Sequence, residues 1–303
     1  MKKNIEMQVK EETPLLEYLF SNITNKSKNN VKSLLSRGNI EVNGKVTTKF
    51  DYLLKKGQIV TINTSRIHDK NNDDTIDVLY EDKDLIIINK PEGLLSIGTD
   101  NEKTKTAYKM VMEYMKRQNH GSKLFVVHRL DRDTSGVLMF AKNEKIKYLL
   151  QDNWDKLVKV RGYVAIVEGI VKKESGTIKS WLKETKTMLV YSSNKQNDGD
   201  LAITHYKKIK NSSLHSLLEI KIDTGRKNQI RVHMSDLGHP IIGDKKYGSK
   251  NNPLKRLGLH ANVLEFTNPI NNKIMHIEAK VPDEFYKLMR KNQWLNKKMV
   301  YFI

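Results

Sequence analysis

The chain has 303 residues, with 54 lysines and arginines against 35 aspartates and glutamates, so its formal net charge at pH 7 is +19. Hydrophobic residues make up 38% of the sequence, enough for a sizeable core, which excludes a chain that is disordered throughout. There is no cysteine, so disulfides, thiolate nucleophiles, zinc–thiolate sites and iron–sulfur clusters are excluded.

The positive charge predicts a polyanionic partner, because such an excess attracts nucleic acid and speeds its encounter with the protein. An anionic membrane surface is one alternative, and a Lys- and Asn-rich composition without functional meaning is another. No apolar run of about 18 residues is present to span a membrane. The first residues also lack the apolar segment of an export signal. We therefore expect a cytoplasmic protein that binds nucleic acid.

The chain divides at a polar, turn-prone stretch, residues 70–75, which has the composition of a linker. From this stretch we predict an N-terminal tail (1–12), a first unit (13–66), a linker (67–76) and a second unit (77–303).

The first unit combines two predicted helices with a hairpin whose turn is Asn43-Gly44. The segment from residue 26 to residue 66 contains nine basic residues and only two acidic ones, Glu41 and Asp51. Several of these, Lys32, Arg37 and Lys45 among them, fall on the second helix or the hairpin, where they could follow a phosphate backbone. An ordinary solvated surface is the alternative. The order of helix, Ser-Arg-Gly turn, strand and Val-Asn-Gly turn resembles the S4-like RNA-binding domain, a small α/β fold.

The second unit mixes strands and helices, and the segments between strands are often too short for crossover helices. This pattern predicts an α+β fold with a mainly antiparallel sheet. Its densest polar cluster is residues 128–136, His-Arg-Leu-Asp-Arg-Asp-Thr-Ser-Gly, which lies between two apolar segments. We expect Arg129 and Arg132 to favour the ionised form of Asp131. Alternatively, Asp131 or Asp133 caps a turn.

Residues 128–136 closely resemble the signature of the RluA-type pseudouridine synthases, His-Arg-Leu-Asp-x-x-Thr-Ser-Gly. Further matches follow in family order at residues 81–93, 161–165, 224–233, 240–244 and 259–261, and together they cover nearly all of 77–266. Two positions depart from the pattern. Lys227-Asn228 replaces the common Thr-His pair, and Gly162 stands where a basic residue is frequent, which affects substrate detail more than activity.

The resemblance implies that Asp131 is the catalytic residue, that Tyr163 stacks on the extruded uracil, and that Arg231 pairs with Asp131. It also implies that Arg129 fills the gap left by the flipped base. We predict Arg132 and Arg226 as further RNA contacts. The alternative for Arg226 and Arg231 is that they are solvated charges on the protein surface. No cofactor or metal is expected, because the sequence has no phosphate-binding Gly-rich loop and no His-x-x-x-His pair.

The predicted function is RNA pseudouridine synthesis, in which the bond from ribose C1′ to uracil N1 breaks and C1′ joins C5. The predicted substrate is large-subunit ribosomal RNA (rRNA), with transfer RNA as the alternative, and the predicted state is a monomer. A non-catalytic RNA-binding ribosome-assembly factor is the first rival. A glycoside hydrolase using Asp131 and Asp133 is the second, although two carboxylates this close on one turn would not flank a sugar. The sequence leaves open whether Asp131 attacks C1′ or first removes a ribose proton.

Overall fold

The structure is a computed structural model that describes residues 5–23, 28–36, 39–62, 76–100 and 102–298. The chain forms two compact units, Met1–Thr75 and Ile76–Ile303. Of the predicted linker, 67–76, only residue 76 lies within the described residues.

The first unit packs two helices against a small sheet. Its described elements are β1 (Ile5–Gln8), β2 (Thr13–Pro14), α1 (Leu15–Asn22), α2 (Lys28–Ser36), β3 (Ile40–Val42), β4 (Lys45–Val46), β5 (Leu53–Leu54) and β6 (Ile59–Ile62). The sheet order is β1-β6-β3-β4, and β2 pairs with β5. Leu15, Leu19, Val31 and Leu35 from the helices meet Ile40 and Val60 from the sheet in one apolar core.

The predicted hairpin at Asn43-Gly44 is confirmed. β3 and β4 pair antiparallel, and both turn residues have positive φ, 50° at Asn43 and 76° at Gly44, as a two-residue turn between twisted strands requires. The predicted N-terminal tail is wrong for residues 5–8. These residues form β1, which pairs with β6 from Ile5↔Ile62 to Gln8↔Ile59. Apolar and polar residues alternate there as in an edge strand, and Val9, which follows, is buried.

The second unit is built on one large sheet. In chain order its described elements are β7 (Val78–Glu81), β8 (Leu85–Lys90), α3 (Ala107–Gln118), β9 (Phe125–Val126), β10 (Ser135–Ala141), α4 (Glu144–Asp152), α5 (Trp154–Leu157), β11 (Val158–Glu168), β12 (Ser175–Glu184), β13 (Val190–Ser193), β14 (Asp200–Asn211), β15 (His215–Ile222), α6 (Gln229–Asp236), a short 3-10 helix (Lys245–Tyr247), β16 (Leu259–Thr267), β17 (Ile274–Glu278) and α7 (Asp283–Lys298).

The strand order of this sheet is β13-β12-β14-β15-β11-β16-β10-β8-β7, with β17 beside β16 and β9 beside β10. Among the described strands only β10 and β16 run parallel. The predicted α+β fold with a mainly antiparallel sheet is therefore confirmed. Helix α6 packs Ile230 and Met234 against Ala165 and Ile220 on one face of the sheet. Helix α7 packs Phe285 and Met289 against Val164 and Ile166, which alternate with Ala165 and so point to the other face.

The start of β10 depends on a glycine. Gly136 has φ +117°, and a Cβ at this position would lie 2.0 Å from the carbonyl oxygen of Ala261. Only glycine permits this close parallel pairing of β10 with β16, and the pairing fixes where the polar loop before β10 enters the sheet.

None of the helices in the described ranges has the length and hydrophobicity that crossing a membrane would require.

Candidate active site

The polar loop between β9 and β10 is held from both ends. Ser96 Oγ donates to the carbonyl of Leu130 at 2.7 Å and accepts from its amide at 3.0 Å. The amide of Thr134 donates to the carbonyl of Asp131 at 3.2 Å, which closes a tight turn. The backbone around Asp131 is therefore fixed before any substrate binds.

Lys90, the last residue of β8, supports the same loop from inside the protein. Its side chain is fully buried, and Nζ donates to the carbonyls of Pro91, Leu94 and Arg132 at 2.7–2.9 Å. Three acceptors match the three N–H groups of a protonated amine. Burial acts in the opposite direction and lowers the pKa of Lys90 to about 7, although Asp133 and Asp131 partly offset this effect.

Five of the predicted site residues line one small cleft of about 70 Å³. Arg129 and Asp131 come from the loop, Tyr163 from β11, and Arg226 and Arg231 from the segment around the start of α6. The cleft is completed by Leu130, Thr134, Ile222, Gly225, Gln229, Ile230 and Leu259. Asp131 and Arg231, 100 positions apart in the sequence, thus line one cavity.

The environment of Asp131 differs from the prediction. The surrounding protein strips water from its carboxylate, and this desolvation raises its pKa; Arg231, Lys90 and Arg129 oppose the shift. The charge of Arg129 lowers the pKa of Asp131, as predicted. Desolvation outweighs the nearby cations, however, so the net shift favours the protonated form. Arg132 is exposed and lies outside the cleft walls. In the described part of the chain no side chain is hydrogen-bonded or ion-paired to the Asp131 carboxylate.

Tyr163 lies on the face of β11 that carries Ala165 and packs toward α6. Burial raises the pKa of Tyr163 to about 12, so its hydroxyl stays protonated at neutral pH and can donate a hydrogen bond.

Arg231 does not pair with Asp131 as predicted. Its Nε and Nη2 donate to Asp244 Oδ2 and Oδ1 at 2.7 and 2.8 Å. Nη1 donates to Asn228 Oδ1 at 2.9 Å, and the guanidinium stacks over the Tyr247 ring at 4.9 Å. The buried carboxylate of Asp244 presents both oxygens to one edge of the guanidinium, the strongest geometry for such a pair. The positive charge of Arg231 still lowers the pKa of Asp131 across the cleft.

The segment before α6 forms one wall of the cleft. Gln229 Oε1 accepts from the Arg226 amide at 3.0 Å and from Thr224 Oγ1 at 2.8 Å. The exposed side chain of Arg226 donates through Nε to the carbonyl of Leu201 at 3.1 Å. Arg161 donates to the carbonyl of Asp223, and a Cβ at Gly225 would lie 2.9 Å from its Nη1. Both arginines therefore brace this wall.

Of the basic residues predicted in the first unit, Lys32 on α2 and Lys45 on β4 are exposed, and Arg37 lies outside the described residues. Their contact with RNA stays a prediction.

Lys90 and Asp244 lie within the matched segments 81–93 and 240–244, but no role was predicted for either residue. A signal for Lys90 was present, because it shares the strand alternation of the buried residues Ile86 and Ile88. No local pattern marks Asp244 as the partner of Arg231.

Two further features of the second unit bear on its chemistry. In the described ranges no group of three His, Asp or Glu side chains is placed to hold a metal ion. A larger cavity of about 430 Å³ lies beside the start of β8 and the end of β10, away from the cleft. Residues such as Glu81, Lys123 and Lys142 line it. None of the predicted site residues lines it.

Comparison with known proteins gives a consistent result. Residues 84–236 match the family model described as RNA pseudouridylate synthase. The chain is 39% identical over 213 residues to ribosomal large subunit pseudouridine synthase C of Rickettsia prowazekii, covering 69% of each protein. It is 30% identical over 295 residues to ribosomal large subunit pseudouridine synthase D of Vibrio cholerae, covering 90% of each. The solved structure of human RNA pseudouridylate synthase domain containing 4 superposes with a TM-score of 0.57 at 23% identity, covering 69% of this chain and 90% of that one.

Proposed function

Because the chain belongs to the RNA pseudouridylate synthase family and is an isomerase that acts on RNA, we propose that it modifies uridines of large-subunit rRNA and that Asp131 is its catalytic carboxylate. The observation that carries this proposal is a desolvated carboxylate in a cleft that also contains Tyr163 and Arg231. The choice of rRNA is supported by the relatives in Rickettsia prowazekii and Vibrio cholerae, which are named as ribosomal large-subunit enzymes.

Isomerisation needs an ionised carboxylate beside ribose C1′, either to attack that carbon or to remove a ribose proton. Desolvation makes the carboxylate of Asp131 more basic and reactive, while Arg231, Lys90 and Arg129 act in the opposite direction and favour its ionised form. The cleaved uracil must then turn so that C5 faces C1′. A closed cleft retains the detached base during this rotation.

The target uridine must leave the RNA stack to reach Asp131, which costs a few kcal/mol. In our proposal Tyr163 stacks on the extruded uracil and donates its protonated hydroxyl to a polar group of the bound nucleoside. Arg129, exposed at the mouth of the cleft, occupies the gap left in the RNA. Both roles offset the cost of extrusion.

The direct test follows tritium release from rRNA labelled at uracil C5, because joining C1′ to C5 displaces the hydrogen there. We expect release with the wild-type protein and none with Asp131→Asn. Asp133→Asn, which changes the other carboxylate of the same loop, should retain activity. No release by the wild type on any cellular RNA would support a binding factor instead. Activity that depended on Asp133 and not on Asp131 would contradict the proposed mechanism.

The RNA surface is proposed to include Arg129, Arg132 and Arg226 around the cleft, and Lys32, Arg37 and Lys45 in the first unit. RNA binding should weaken steeply with salt, because neutralised phosphates release counterions, and each lost phosphate contact should lower the log–log slope by about 0.7–0.9. Arg226→Gln and Lys45→Gln test the two groups separately. A slope identical to that of the wild type would remove the residue from the surface.

Comparing pseudouridine maps of RNA from wild-type and deletion strains identifies the substrate. Loss of a site in large-subunit rRNA is the expected result, and loss of a site only in transfer RNA would shift the assignment to that class. We also propose that the protein acts as a monomer in the cytoplasm. Light scattering and cell fractionation test these two points.

A further inference from the structure

We propose that the hairpin of β12 and β13, whose tip is residues 185–189, is an RNA-contacting element that binds nucleotides next to the target uridine. This inference rests on the proposed function and adds a substrate-binding surface to it.

The hairpin tip lies at the same end of the sheet as the cleft. β12 ends at Glu184, whose carboxylate pairs with Lys227, and Lys227 adjoins the cleft residue Arg226. Arg226 in turn bonds the carbonyl of Leu201 at the start of β14, the next strand in the sheet. RNA that delivers a uridine to Asp131 and continues along this end of the sheet would reach the hairpin tip.

The hairpin is also attached to the residues that position Arg231. The Val190 amide donates to Tyr247 Oη at 3.3 Å, and Lys246 Nζ donates to the Met188 carbonyl at 2.9 Å. Tyr247 is the ring over which the Arg231 guanidinium stacks. A nucleotide bound at the hairpin would therefore be held in a fixed relation to the cleft.

The tip is rigid because its backbone is closed by several hydrogen bonds. Thr185 N donates to the Leu189 carbonyl at 2.8 Å, Met188 N donates to the Thr185 carbonyl at 2.9 Å, and Leu189 N donates to Thr185 Oγ1 at 3.1 Å. Because this order exists before RNA binds, little further entropy is lost on binding.

Met188 at the tip is unfavourable for folding alone. Its side chain is 62% exposed, and its φ of +61° lies in the left-handed region, which suits Gly or Asn better than Met. Leu189 and Tyr191 beside it are also exposed, at 37% and 42%. A large apolar side chain that packs little and strains the backbone indicates a role outside the fold.

The charges around the tip favour RNA as the partner. Glu184 and Asp198 are neutralised by Lys227 and Lys183. Lys186 and Lys245 are exposed, and in the described residues no carboxylate oxygen lies within 4.0 Å of either Nζ. Apolar side chains that can contact unstacked bases, flanked by cations that can contact phosphates, are the combination that single-stranded or locally opened RNA requires.

The first test replaces Met188 with asparagine, which removes the apolar side chain and fits the backbone at least as well. We expect the KM for RNA to rise roughly five- to tenfold, a loss at the low end of a base-stacking contact, with kcat unchanged and no fall in Tm. The matched control is Ile274→Asn, which removes a side chain that is 70% exposed. It lies on β17, six strand positions from β13, or roughly 29 Å along the sheet. A KM for Met188→Asn equal to that of the wild type would overturn the proposal.

The second test uses the absence of cysteine in the chain. Met188→Cys creates a single thiol that can carry a photoreactive benzophenone maleimide, and Ile274→Cys is its control. We expect light to join the Met188→Cys protein, but not the control, to RNA within a few nucleotides of the modified uridine. A wild-type protein that releases no tritium would defeat the proposed function itself. An active protein that crosslinks no more at position 188 than at 274, or only to a second copy of itself, would defeat the hairpin proposal alone.

Discussion

Arg231 and Asp244 form a two-point ion pair along one edge of the guanidinium, with N–O distances of 2.7 and 2.8 Å. A third donor of Arg231 bonds Asn228. A guanidinium has five N–H donors, so two remain for Asp131 or bound RNA, and in the described part of the chain neither has an acceptor. Asp244 thus fixes a cation at the cleft without covering the Asp131 carboxylate.

We predict that Asp244→Asn lowers both stability and turnover. Leaving the buried guanidinium without its counter-ion costs about 3–5 kcal/mol of unfolding free energy. Displacing Arg231 should lower kcat by roughly 10- to 100-fold. Tritium release under saturating RNA and thermal melting measure the two effects. Asp236→Asn, at an exposed carboxylate on α6, the helix that carries Arg231, is the control. If Asp244→Asn melts early but keeps the wild-type kcat, Asp244 has only a structural role.

We predict that Asp131→Asn, while inactive, is more stable than the wild type at pH 7. The folded-state pKa of Asp131 lies above its ordinary value of 3.8. The folded protein therefore holds this proton to higher pH than the unfolded chain, and stability falls as pH rises through that window. Asparagine removes the buried charge and keeps the shape. Tm should rise by about 2–4 °C for each kcal/mol recovered, and the difference should close as the pH approaches 4. A variant that melts below the wild type at pH 7 would contradict the assigned burial effect.

We predict that Lys90→Met loosens the loop that carries Asp131. The substitution leaves the carbonyls of Pro91, Leu94 and Arg132 without their common donor. A shift of the loop by an ångström would lower kcat on the order of 100-fold. The measurement is kcat together with hydrogen exchange of the amides of residues 128–136. Lys83→Met, at an exposed lysine, should match the wild type. Unchanged exchange in the Lys90 variant would show that the loop does not depend on this side chain.

Much of the fold was predictable because its signals are local. The Asn43-Gly44 turn and the two helices of the first unit each follow from a few neighbouring residues. Strand β1 was missed even though Ile5, Met7 and Val9 alternate with polar residues, since a short edge strand gives a weak pattern. The strand order and the parallel pairing of β10 with β16 depend on long-range contacts, which no local pattern encodes.

The candidate site divides in the same way. Asp131, Tyr163 and Arg231 were predicted, and they line one cleft. The direction of the pKa shift of Asp131 was not predictable. The prediction considered only the charges next to Asp131 in the sequence, whereas the pKa depends on residues that the fold brings close. Arg132, one residue away, lies outside the cleft, whereas Lys90, 41 residues earlier, and Arg231, 100 residues later, are the cations that act most on its pKa. Desolvation, which dominates, depends on packing from the whole unit.

Three histidines of the second unit that the fold desolvates predict a specific acid sensitivity. Desolvation lowers the pKa values of His128, His233 and His260 to about 4 each, below the ordinary value of 6.5. Between these values the unfolded chain binds protons that the folded protein does not, so stability should fall as the pH drops from about 6.5 to 4.

His233 offers the cleanest test, because it is fully buried with its ring nitrogens bonded to Ser180 Oγ and Thr204 Oγ1 at 2.9 and 2.8 Å. His233→Gln removes one titrating group, so its Tm should fall less steeply with acid than that of the wild type, even if it starts lower at pH 7. His120→Gln, at an exposed position, should leave the slope unchanged. The variant and the wild type should differ by one proton taken up on unfolding near pH 5. Parallel curves would mean that His233 has the same pKa in the folded and unfolded states, so that its desolvation does not lower its pKa.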